Sequence, residues 1–106
     1  MRIKSELLWG ESIRNKRKIN DLLHAGRLPV GYYLLLCTKE GGLEFTPAIM
    51  QSNRYYVSDS YTVFGIAHGK NEAYEMIKDI VSYVYTSTNY ESVNSYVREV
   101  LVTEIC

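Results

Sequence analysis

Residues 61–85, YTVFGIAHGKNEAYEMIKDIVSYVY, decide the fold class of this chain. Tyr61, Thr62, Val63, Phe64 and Ile66 are β-branched or aromatic and suit a pleated, buried surface, so the stretch opens as a strand. Gly65 interrupts that run and marks a bulge or a close approach of another backbone. Gly69 turns the chain, and Asn71 is placed to cap a helix through its side-chain oxygen. Glu72 and Glu75 bring negative charge to the helix's positive end. Ala73, Met76, Ile77, Ile80, Val81 and Val84 then recur at i, i+3, i+4, i+7, i+8 and i+11, a continuous apolar stripe that must dock on a sheet.

Working outward, Gly31 to Thr38 form a second strand, apolar enough to be buried on both faces and therefore central. Lys39 to Gly42 are a turn and Leu43 to Thr46 alternate, so residues 32–46 form a β-hairpin. Residues 11–25 have helical character, with Ser12 as the starting cap, Ile19, Leu22 and Leu23 as the apolar side, and Gly26 followed by Pro29 as the stop. Residues 3–9 fit an earlier helical turn or a short strand, and the pattern does not choose. Pro47 suits the first turn of a short helix through Met50 and Asn53. Helical spacing of Val93, Val97, Val100 and Leu101 favours a helix over about 91–101, although Val100 to Ile105 also fit a strand.

These elements make one α+β domain over residues 1–106, with a small three- or four-stranded, mainly antiparallel sheet and helices packed on it. A chain of 106 residues with 46% hydrophobic content can bury a modest core. No run approaches the ~18 apolar residues of a membrane span, and Lys4, Glu6 and Glu11 stand where a secretory signal would be apolar, which points to a cytoplasmic protein. The hairpin strand is too apolar to leave wet, so the sheet face opposite the 61–85 unit requires either the first helix or a second copy. A homodimer is the expectation.

Net charge is zero, yet residues 1–30 carry a surplus of four positive charges and the rest a surplus of four negative. Arg14, Lys16, Arg17 and Lys18 form a basic run that suits sequence-blind phosphate contacts with nucleic acid. A solvated helix face gives the same pattern, and no nucleic-acid-binding signature accompanies it. Gly69, Lys70 and Asn71 stand at a helix N-terminus, where unpaired amides and a lysine suit a small anion. The second glycine and the Ser/Thr of a P-loop are missing there, so an ordinary strand–helix turn fits as well.

Ten tyrosines, all from Tyr32 onward, combine apolar area with a polar tip and suit half-buried rims and protein interfaces. Base stacking is the sharper alternative. His24 and His68 lie on different elements, the two cysteines Cys37 and Cys106 show no pairing pattern, and no acid pair marks general acid–base work. Catalytic residues, a metal and a cofactor are therefore not expected. A Cys37–His68 dyad would require their strands to adjoin, and a thiol in so apolar a strand is normally inert.

The segment FGIAHGKNEAYEMIKDIVSYVY resembles GIAxGxxEAxELVxxIVxxVY, found in small uncharacterised proteins of Firmicutes, some of them on mobile elements. Gly65, Ile66, Ala67, Gly69, Glu72, Ala73 and Tyr85 carry the likeness, which covers roughly residues 32–87. It implies a bacterial, cytosolic origin and brings no catalytic residues. The functional expectation is a non-enzymatic module that binds another protein through its tyrosines. A nucleic-acid accessory acting through the basic helix, or an anion binder at residues 68–71, are the alternatives.

Overall fold

The computed structural model describes residues 2–52 and 60–102. In chain order these form β1 (Arg2–Trp9), α1 (Lys16–His24), β2 (Tyr32–Thr38), β3 (Leu43–Pro47), a 3-10 turn (Ala48–Ser52), β4 (Tyr61–His68), α2 (Lys70–Ser87) and α3 (Val93–Tyr96). The last helix continues as a wider π-type winding over Val97–Val102. The four strands make one sheet in the order β1-β4-β2-β3. β2 pairs antiparallel with both β3 and β4, whereas β1 lies parallel to β4, so the sheet is mixed.

Both central strands earn their place by burial. Leu34, Leu35, Leu36 and Cys37 of β2 and Val63, Phe64, Ile66 and Ala67 of β4 are all essentially inaccessible. Alternation sends Leu34, Leu36, Val63 and Ile66 to one face, where Ile19 and Leu23 of α1 cover them. Leu35, Cys37, Phe64 and Ala67 go to the other, under Ala73, Met76, Ile77 and Ile80 of α2 and Val97 and Leu101. The fold is thus three layers, helix, sheet and helices. Of the two covers expected for the face opposite α2, the chain's own first helix is the one observed.

Gly65 does both things its position suggested. Leu35 pairs with Gly65 and Leu36 with Val63, so Phe64 is an extra residue and β4 bulges. The bulge shifts the phase of β4, so that Ile66 shares a face with Val63 and Ala67 with Phe64. A Cβ at Gly65 would lie 2.8 Å from Leu35 Cδ1 and 3.1 Å from the Leu8 carbonyl oxygen.

Several local expectations are corrected. α1 starts at Lys16, capped by Asn15, whose Oδ1 accepts from Lys18 N at 3.2 Å; Ser12 is engaged elsewhere. Its end is the glycine stop that was expected: Gly26 N donates to Leu23 O and Arg27 N to Leu22 O, the paired bonds of a Schellman motif. Pro47 closes β3 and does not open the following turn, which is admissible because β3 is an edge strand. Asn53 lies outside the described residues. At α2 the cap is Gly69, with φ 97°, and Asn71 is already inside the helix. Ser92 caps α3, accepting from Ser95 N at 3.2 Å. Residues 3–9, left open by their pattern, are strand. Among the described residues no helix is long and apolar enough to cross a membrane.

Candidate functional site

β1 departs from regular pairing beside a concavity of the described surface. Ile3 pairs with Val63 and Leu8 with Gly65, so four residues of β1 face the single residue Phe64 of β4. The strand bows away there, and a trough of about 540 Å³ opens between it and the helices. Phe64 forms the floor. Met76, Asp79, Ile80 and Tyr83 share one face of α2 and make one wall, while Tyr96, Val100 and Leu101 close the end. Lys4, Glu6 and Leu8 of β1 make the opposite wall.

The trough is apolar below and mixed at the rim. Leu8 and Tyr83 are 48% and 50% exposed. The rings of Tyr83 and Tyr96 meet edge to face at 6.1 Å, and those of Tyr90 and Tyr96 at 5.5 Å. This cluster fixes aromatic surface near the mouth with little side-chain freedom left to lose. Such a site offers apolar contact, hydroxyls and charges of both signs. Among the described residues no three His, Cys, Asp or Glu converge to hold a metal ion.

The turn containing Gly69, Lys70 and Asn71 is organised by Glu72. Its Oε1 accepts from His68 N at 2.8 Å and Ser12 Oγ at 2.9 Å, and its Oε2 from Ser12 N at 3.1 Å. Burial pushes this carboxyl's pKa up, but the hydrogen bonds from His68 and Ser12 outweigh it and hold the group below its ordinary range. A carboxylate of the chain itself thus stands beside the turn that was weighed as an anion site. Lys70 and Asn71 point to solvent.

The basic run is divided by the late helix start. Arg14 lies in the connecting loop, and Lys16, Arg17 and Lys18 form the first turn of α1, all exposed. No acidic residue shares that turn, so three cations crowd the positive end of the helix dipole. Arg17 and Lys18 border a shallow hollow of about 280 Å³ together with Asp21.

Cys37 and His68 do not meet. Although β2 and β4 adjoin, Tyr32 pairs with His68 and Cys37 with Thr62, at opposite ends of the ladder. The His68 ring lies against Tyr32, with centroids 4.7 Å apart, while burial pushes the Cys37 thiol up to about 11. The tyrosines divide similarly. Tyr61 is core, Tyr33 packs against Phe45, and Tyr74, Tyr83 and Tyr85 are exposed; Tyr55 and Tyr56 lie outside the described residues.

The β1 side of the trough escaped the sequence reading. Its trace was the alternation in residues 2–9: Ile3, Leu7 and Trp9 pack against the core under α1, while Lys4, Glu6 and Leu8, together with parts of Leu7 and Trp9, border the trough. No family model matches this chain, and neither a curated protein nor a solved structure matches it.

Proposed function

We propose that this chain is a non-enzymatic interaction module that grips another protein through the tyrosine-bordered trough between β1 and α2. The observation that carries the reading is the pairing of two large exposed side chains, Leu8 and Tyr83, across an apolar floor. Rigid aromatic anchors beside a desolvated pocket are where interface energy concentrates. A bacterial, cytoplasmic setting, with the mobile-element association that the GIAxGxxEAxELV-type segment implies, belongs to the same proposal, as does self-association into a homodimer.

A nucleic-acid role retains one specific support, the exposed Lys16, Arg17 and Lys18 in a first turn of α1 that holds no acidic residue. The anion reading at Gly69, Lys70 and Asn71 has no comparable support, because Glu72 already takes the His68 amide. Affinity capture from bacterial cells expressing the tagged chain separates the readings. A protein retained by the native chain and by K16E/R17E/K18E, but lost from L8D/Y83A, is the expected result. Co-purifying nucleic acid that vanishes with the triple charge reversal and with ~0.5 M salt would replace it with the nucleic-acid reading.

A further inference from the structure

We infer that the outer edge of β1 pairs antiparallel with β1 of a second copy of this chain, about a two-fold axis at Ser5. β1 is a terminal strand of the sheet, so among the described residues no strand lies beside one side of its backbone. Residues 4–7 stand opposite Phe64 alone in the register with β4. Ser5 and Glu6 at the centre of this bow are exposed.

The sequence of this edge is self-complementary in one register. With Ser5 opposite Ser5, Lys4 stands opposite Glu6 of the partner subunit and Glu6 opposite the partner's Lys4, giving two opposite-charge pairs on the trough side. Ile3 stands opposite Leu7 of the partner subunit, twice, on the side packed by α1. An isologous contact requires this reciprocity, since each residue must suit the one that its own mate meets. Opposite-charge and apolar cross-strand neighbours are the pairs that stabilise antiparallel ladders. The other terminal strand fits such a contact poorly: β3 has five residues and ends on Pro47, which lacks an N–H.

An axis perpendicular to the sheet puts both troughs on the same side. The two then join into one groove with an α2 along each flank, and Lys4–Glu6 pairs lie across its middle. This deepens the self-association part of the reading above and rests on that part alone. A failed partner capture leaves it standing, and a monomeric chain leaves the trough reading standing.

Sedimentation velocity over a range of concentrations tests it on the full chain. The native chain should dimerise. E6K, at an exposed position, should raise the dimer dissociation constant roughly ten-fold or more, because it sets two like-charge pairs across the axis. K4E should do the same, and K4E/E6K should recover the native constant. Lys4 also has an interaction within its own chain, so recovery in the double variant separates the intersubunit effect from a local one. In a C106S background, S5C should form a disulfide-linked dimer under mild oxidation. A native chain that stays monomeric overturns the inference. So does a dimer indifferent to both single reversals, or a double variant that remains as weak as either single one.

Discussion

Glu72 joins parts of the chain that are far apart in sequence. Its carboxylate accepts from Ser12, 60 residues away, and from the last residue of β4, so it ties the β1–α1 loop to the start of α2. Gly10 is what admits it, since a Cβ there would overlap the carboxylate. The carboxylate is the mobile end of its side chain and would move aside, but only by giving up these bonds. Gly10→Ala and Glu72→Ala should therefore destabilise the protein by similar amounts, about 1–2 kcal/mol at a partly exposed site. The double variant should cost little more than either single one, as urea denaturation would measure. The sign with pH follows from the lowered folded pKa. Stability from Glu72 is present above the unfolded value of about 4.3 and is lost as pH falls through the lower folded value. The native chain's advantage over Glu72→Gln should thus shrink as the pH falls below the unfolded value; an advantage unchanged by pH would contradict this account.

At the scale of elements, the two irregular strands form one device. The bulge at Phe64 and Gly65 shifts the phase of β4, and the bow of β1 accommodates it on the other side. Gly65 is the contact point, with the Leu8 carbonyl on one flank and the wholly buried Leu35 on the other. Neither yields easily, so Gly65→Val should destabilise by roughly 1–3 kcal/mol. The damage should centre on β1, whose amides should exchange with solvent faster than those of the β2–β3 hairpin. Equal protection across all four strands would show that β1 is not held through this point. The motif residues of the 61–85 unit also acquire physical roles at this scale. Gly65 permits the bulge, Gly69 adopts the positive φ of the turn, Glu72 clasps the loop, and Ala73 is buried on the sheet-facing side of α2. All four serve the scaffold, which is why the segment resolves architecture and leaves activity open.

For the molecule as a whole, the decisive fact is that one chain covers both faces of its own sheet. Leu23 of α1 is completely buried against Leu34, Leu36, Val63 and Ile66. Leu23→Ala should cost about 2–5 kcal/mol whatever the protein concentration. A small cost, or one that grew on dilution, would mean that another subunit covers this face. The proposed self-association would use the sheet edge and the proposed partner binding the trough beside it, so the two surfaces would be contiguous on the α2 side of β1.

The sequence alone determined the elements whose signals are local. The hairpin of residues 32–46, the strand–turn–helix of residues 61–85, the glycine stop at Gly26 and a helical segment near residue 93 all follow from spacings of two to four residues and from the steric demands of glycine. Tertiary structure decided what depends on partners distant in the chain. The 2–9 segment is a strand because β4 lies beside it, and α1 starts late in a chain whose Ser12 is held by Glu72. The trough exists because four residues of β1 must pass one residue of β4. Short-range patterns record how a segment can bury its own side chains. They carry no record of which far segment supplies the matching surface, and that pairing built the site.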